Sequence, residues 1–243
     1  MRTITAKVPT KLKKKPISST ALLPSEMIEV PVGKSYGAES INPDVDGHSK
    51  VTLSAGSGTF FIFNQHWDGL STEIVSRVTA EYIFDKQISN ELLSDLNACC
   101  DLFKINTPPR LRHFLSQIAH ESGGLQWLQE LASGDDYEWR DDLGNNKPGD
   151  GRRYKGGGAI QLTGRANYQA FADFMSDPKV MDGSSYVAQK FPFSSAGFWW
   201  TNNDMNTLCD RGATVEKVTR RVNGGINGLD DRIYYYNRCC DVI

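Results

Sequence analysis

The chain has 243 residues, room for one large domain or two small ones, with ordinary apolar and charged fractions. Its formal net charge of −2 makes no case for a nucleic-acid binder. No apolar run approaches the roughly 20 residues of a membrane span.

Residues 1–70 alternate short apolar or β-branched runs (3–8, 27–32, 51–53 and 59–63) with turn-rich stretches. The turns fall at Pro9, Pro16, Pro24, Gly33 and residues 42–43, 46–47 and 56–58. Several short strands in a small β-barrel or sandwich are predicted. The lysines of residues 11–15 read as a solvated loop in preference to an anion-binding patch. Trp67, with Phe60, Phe61 and Phe63, reads as core more readily than as a stacking platform.

Residues 71–86 read as a linker with room for a turn of helix. Ser89 then stands where it caps a helix carrying Leu92, Leu93, Leu96, Cys100 and Phe103 on one face, packed beside the next helix. In that next helix Thr107 caps and Pro108 takes the first position, where no N–H is needed. Leu111, Phe114, Leu115 and Ile118 follow at i, i+3, i+4, i+7, and His113 is expected to be exposed or capped. The helix carries His120 and Glu121 to its end, where Gly123 and Gly124 stop it. The negative end of the helix dipole disfavours an ionised carboxylate there, which suits a general acid. A loop-rich segment spans 132–160. Helices are predicted at 165–175, after Ser195 (holding Trp199 and Trp200), after Thr214 (holding Val215, Val218 and Val222), and at 229–241.

The five cysteines, Cys99, Cys100, Cys209, Cys239 and Cys240, are odd in number and include two adjacent pairs, which is not a disulfide framework. No CxxC or paired His spacing supports zinc, so buried reduced thiols are expected and neither metal nor cofactor is called for. His120 and Glu121 lack the second histidine of a zinc-protease motif, because position 124 is Gly.

Four pieces stand in order: AHESGG (119–124), Glu130, PGDGRRYKGGGAIQLTGRANY (148–168) and VNGGINGLDDR (222–232). Together they resemble glycoside hydrolase family 19, the chitinase and phage-endolysin group. The resemblance covers most of residues 90–243. It implies a mainly α, lysozyme-like catalytic domain over residues 87–243 with a cleft between two lobes. The strand pattern of residues 1–70 is similar to the small all-β SH3-like modules attached to cell-wall hydrolases.

Glycosidic hydrolysis takes one protonated and one ionised carboxyl flanking the bond. By resemblance Glu121 matches the general acid and Glu130 the base that activates water. Family members invert, which implies a carboxyl separation of roughly 6.5–9.5 Å. An unbroken helical run of nine residues would hold the two about 13 Å apart, and the break at Gly124 relieves this. Glu138 is an alternative base or a supporting residue. Thr163 matches a position that holds the water, or else is a turn threonine. Gln161, Asn167 and Asn223 match sugar-contacting positions, and their amides also suit structural hydrogen bonding. Arg232 matches an arginine near the carboxylates, where its charge would keep Glu130 ionised. Trp127, Tyr137 and Trp139 suit either sugar stacking or packing.

The family's usual GRG is replaced by Gly156, Gly157 and Gly158. Either Arg152, Arg153 or Arg165 stands in for the missing guanidinium, or activity falls. The expected function is hydrolysis of β-1,4 links in peptidoglycan, of the endolysin type. Chitin hydrolysis is the alternative within the class, and non-catalytic glycan binding the alternative outside it. The expected partner is a polysaccharide, met by a monomer. The basic N-terminus lacks an apolar h-region. The expected route is therefore synthesis in the cytoplasm and release to the wall by lysis or another path.

Overall fold

A computed structural model describes residues 2–43, 47–70 and 74–243. Asp46 of the turn expected at 46–47, and residues 71–73 of the expected linker, lie outside the described residues. The chain divides into two compact units, Met1–Thr72 and Glu73–Ile243.

The first unit is one antiparallel sheet. Its strands are β1 (Arg2–Ala6), β2 (Thr10–Lys13), β3 (Met27–Val30), β4 (Ser35–Pro43), β5 (His48–Leu53), β6 (Gly58–Phe63) and β7 (Trp67–Asp68), in the order β3-β2-β6-β5-β4-β1-β7. Alternate residues enter one core: Ile4 and Ala6, Val51 and Leu53, Phe60 and Ile62. Trp67 and Phe60 are buried in it, as packing predicts. The lysine-rich stretch is loop only from Lys14 on. Residues 11–13 belong to β2, in which Lys13 is buried, donates to Ile17 O at 2.7 Å and meets His48 Nε2 at 2.5 Å. Burial lowers the Lys13 pKa. Lys11 and Lys15 pair with Glu29 and Glu26.

The second unit is helical. The helices are α1 (Arg77–Phe84), α2 (Asn90–Leu102), α3 (Pro108–Glu121), α4 (Asp150–Arg153), α5 (Arg165–Met175), α6 (Ser184–Lys190), α7 (Pro192–Asn202), α8 (Met205–Asp210), α9 (Val215–Asn223) and α10 (Leu229–Val242). No helix among the described residues is long and apolar enough to cross a membrane. Residues 77–84, expected in the linker, form two turns capped by Ser76, and Ala80, Ile83 and Phe84 join the core. The apolar stripe of α3 is buried, and α1, α8, α9 and α10 pack around it. α2 packs on α7. A second hydrophobic cluster, including Tyr154, Leu162, Tyr168 and Phe171, surrounds α5 and α6.

Ser89 and Thr214 cap α2 and α9, accepting from Leu92 N and Lys217 N at 3.2 Å each. Thr107 holds the cap position of α3, but its hydroxyl is buried without a hydrogen-bond partner among the described residues. Ser195 does not cap α7. The helix starts three residues earlier because Asp95 of α2 accepts from Phe193 N at 2.7 Å and Ser194 N at 3.2 Å. His113 is buried, against expectation, with Nε2 at 3.0 Å from Ala213 O. Burial pushes its pKa down to about 4. The cysteines are free; Cys240 is exposed and the other four are buried.

Candidate active site

Glu121 is the last residue of α3. Ser122 ends the helix, and Gly123 and Gly124 follow with φ of 57° and 65°. A side chain at Gly124 would meet Phe84 O at 2.9 Å, so the reversal needs glycine. Glu121 Oε1 accepts from Arg232 Nη2 at 2.5 Å. Its Oε2 accepts no hydrogen bond among the described residues. Arg232, on α10, is 1 % exposed. Its Nη1 donates to Gln117 Oε1, and its Nε to Asn227 O at 3.2 Å. Gln117 Nε2 in turn donates to Thr219 Oγ1 on α9 at 3.3 Å. Four polar side chains from α3, α9 and α10 thus form a buried chain ending at Glu121. The expectation that Arg232 serves Glu130 is corrected: its guanidinium is spent on Glu121, Gln117 and Asn227.

Glu130 is held differently. The segments around 128–130, 156–158 and 162 form a small irregular ladder through bridges Gln129–Gly157 and Gly157–Leu162. Glu130 N donates to Gly156 O at 2.9 Å, and Gly156 N returns a bond to Glu130 Oε2 at 2.8 Å. Tyr137 Oη donates to Glu130 Oε1 at 3.1 Å. Burial first, and then this bond, raises the Tyr137 pKa, so it stays a donor.

Glu138 is held by a different part of the chain. Its oxygens accept from Gly149 N at 2.7 Å and Gly151 N at 2.8 Å, which fastens the 135–138 turn to the start of α4. It supports the site through its neighbour Tyr137, and it does not orient Arg232.

The remaining candidates shape the loops that carry them. Gln161 has φ of 58°, a strained value for a non-glycine residue, and its Nε2 donates to Trp127 O and Gly158 O at 3.2 and 3.0 Å. Its Oε1 lies where a side chain on Gly156 would collide at 2.4 Å, close to Glu130 Oε2. Thr163 Oγ1 donates to Gln161 O at 2.9 Å, and Asn167 Nδ2 to Thr163 O at 2.8 Å. Asn223 closes its own turn, accepting from Gly225 N and donating to Asn227 O, which also accepts from Arg232 Nε. Trp127 links the two carboxylate regions. Its N–H bonds Ser122 O at 2.8 Å, its carbonyl receives Gln161, and a side chain on Gly123 would meet its ring at 3.0 Å. Trp127 and Trp139 are 43 % and 58 % exposed.

The glycine run also changes meaning. A Cβ at Gly157 would meet Tyr168 Oη at 2.5 Å and Ser184 Cα at 3.1 Å, so this backbone has no room for an arginine. No substitute is offered by Arg165 or Arg152, whose guanidinium groups pair with Asp150 and Asp135. Residue patterns missed Gln117 and Thr219. Gln117 lies four residues before Glu121, on the same face of α3, and that spacing was the available signal.

No family model matches the chain. A glycosyl hydrolase family 19 domain-containing protein of Haemophilus influenzae is 32 % identical over 157 residues, covering 51 % of this chain and 74 % of that protein. An endochitinase of Arabidopsis thaliana is 28 % identical over 224 residues, covering 89 % of this chain and 72 % of the relative. In structure, the chain is similar to a bacterial family 19 chitinase, with TM-score 0.58, 21 % identity and coverage of 69 % of this chain and 94 % of the other. It is also similar to chitinase C of Streptomyces griseus, with TM-score 0.57, 17 % identity and coverage of 85 % and 91 %. These structures share the fold, and the sequence relatives carry the lineage. The chain belongs to glycoside hydrolase family 19 and is a glycosidase of that type.

Proposed function

We propose that the chain hydrolyses β-1,4 links beside N-acetylated sugars, with Glu121 as general acid and Glu130 as base. The contrast between the two carboxylates carries this reading. Glu121 has one oxygen fastened to Arg232 and the other unbonded among the described residues. The unbonded Oε2 is the atom that delivers a proton to the leaving oxygen. Glu130 has both oxygens anchored by donors, each keeping a lone pair for water. Water attacks the anomeric carbon from the opposite face and gives its proton to Glu130. The Thr163 hydroxyl spends its own proton on Gln161 O, so it receives the water's second proton as a hydrogen-bond acceptor. The product anomer is inverted.

Peptidoglycan is the substrate we favour, and the N-terminal sheet is read as an SH3-like wall-binding module. The names of the plant relatives favour chitin as the second reading. A retired, purely binding protein has no chemical need for both glutamates. Purified protein is to be given peptidoglycan and soluble chitin oligomers, with products followed by mass and by NMR of the first anomer formed. Soluble muropeptides with an inverted end support the favoured reading. Cleavage of chitin alone replaces it with the second, and a retained anomer removes the roles given to both glutamates. A chain starting near Ser71 should keep activity on soluble oligomers and lose binding to intact walls. Equal wall binding by both forms would remove the targeting role.

A further inference from the structure

Helix α9 has two working faces. Val218 and Thr219 are buried, and Thr219 reaches the Gln117–Arg232–Glu121 chain. The opposite face is strongly basic and borders a surface groove of about 570 Å³ shared with α8. Arg211, Lys217 and Arg221 line this groove. The side chains of Arg211 and Lys217 have no hydrogen-bond or ion-pair partner among the described residues. Arg221 makes only a 3.5 Å bond, to Asn203 O. Arg220 is neutralised by Glu216, and Asp204 is the one acidic side chain on the rim. A protein of net charge −2 thus gathers in one concavity three cations without an ion-pair partner among the described residues.

We infer that this groove binds the anionic stem peptide carried by a peptidoglycan strand lying in the cleft; the inference rests on the peptidoglycan reading above. A chitin chain carries no negative charge and has nothing to offer these cations. A stem peptide carries carboxylates, which Arg and Lys recognise through charge-assisted hydrogen bonds. Asp204 suits the ammonium of a diamino acid in the same peptide. The reach is right. Lys217 precedes Asn223, the candidate sugar contact at the end of α9, by about 9 Å of helix. Four extended residues span about 13–14 Å.

The test compares the full chain with its Arg211→Gln, Lys217→Gln, Arg221→Gln triple variant at low salt. Substrates are glycan strands bearing stem peptides and the same strands after an amidase has removed them. The variant should show about a tenfold higher KM on peptide-bearing strands, with kcat unchanged, and no change on stripped strands. For the unaltered chain, added salt should raise KM on peptide-bearing strands only. This second measurement decides the matter if the variant is poorly folded. Equal KM values for the two proteins on peptide-bearing strands, or equal salt dependence on both substrates, would overturn the inference. Cleavage of stripped strands alone would also overturn it while leaving the peptidoglycan reading standing. Failure on both kinds of strand would remove that reading, and the inference with it.

Discussion

Glu121 closes an α-helix and is held by other side chains, whereas Glu130 sits in a bridged loop and is held largely by backbone. The first arrangement depends on buried amides and a guanidinium drawn from three helices. The second depends on the backbone N–H of Gly156, where a Cβ would crowd Gln161 Oε1 at 2.4 Å and Glu130 Oε2 at 3.1 Å. A carboxylate held by side chains can be disturbed by a substitution two shells away. One held by backbone is disturbed only through the loop. Glu138 is a third case, with both oxygens on backbone N–H groups.

The largest effects separate the two carboxylates proposed to react from the rest. Glu121→Gln and Glu130→Ala should each lower turnover at least about 100-fold with folding nearly unchanged, the scale of general acid–base catalysis. Azide should partly rescue Glu130→Ala, giving a glycosyl azide of inverted configuration. Near-normal hydrolysis by folded Glu121→Gln would end the comparison at once.

Next in size is Gln117→Leu, which deletes the acceptor of Arg232 Nη1 while keeping bulk. Turnover should fall about tenfold at unchanged KM, because the freed guanidinium no longer fixes Glu121 to within about half an ångström. Its kcat profile against pH should shift, which a purely structural role would not produce. Restoration by Gln117→Glu is not expected, since that change adds a second carboxylate for the same guanidinium.

Glu138→Ala should cost about 1 kcal/mol of stability and leave turnover within about threefold, because it loses only two hydrogen bonds to a loop. Chemical denaturation and steady-state kinetics check both parts. A dead Glu138→Ala beside an active Glu130→Ala would exchange the two roles.

The last effect bears on stability alone and concerns a carboxylate on backbone N–H groups deep in the core. Burial pushes Asp95 up to about 6, partly opposed by its bonds to Ser194 and Phe193. The unfolded chain releases this proton near pH 3.9, so between about pH 4 and 6 the folded state alone holds it. That contribution is fully present below about pH 4 and is lost as pH rises through about 6. Asp95→Asn should flatten this part of the stability–pH curve, whose drop is on the order of 3 kcal/mol. An unchanged slope in urea titrations across that window would show that Asp95 does not carry it.

Much of this was legible in residue order, because the signals are local. Helix α3 follows from Pro108 and its apolar stripe, and its end follows from Gly123 and Gly124. The caps at Ser89 and Thr214 act within three residues. The motifs naming Glu121 and Glu130 were read directly, and the mainly helical second part with an all-β first part followed from periodicity. Strand β2 was not legible, since its lysines become strand only when Glu29 and His48 arrive from elsewhere in the chain.

Partnership was decided only in three dimensions. Arg232 lies 111 residues from Glu121 and 102 from Glu130, and sequence distance could not choose between them. The choice is made by α10 packing along α3, which buries the guanidinium against Gln117. Asp95 likewise caps a helix about a hundred residues away, which is why Ser195 was a false signal. At position 157 composition suggested a missing charge, whereas packing against Tyr168 and Ser184 leaves no space for one. The sequence by itself named the carboxylates proposed to react. The fold decided which of them are held by side chains and which by backbone, because hydrogen bonds between distant residues are made only after the helices and bridges have set the distances.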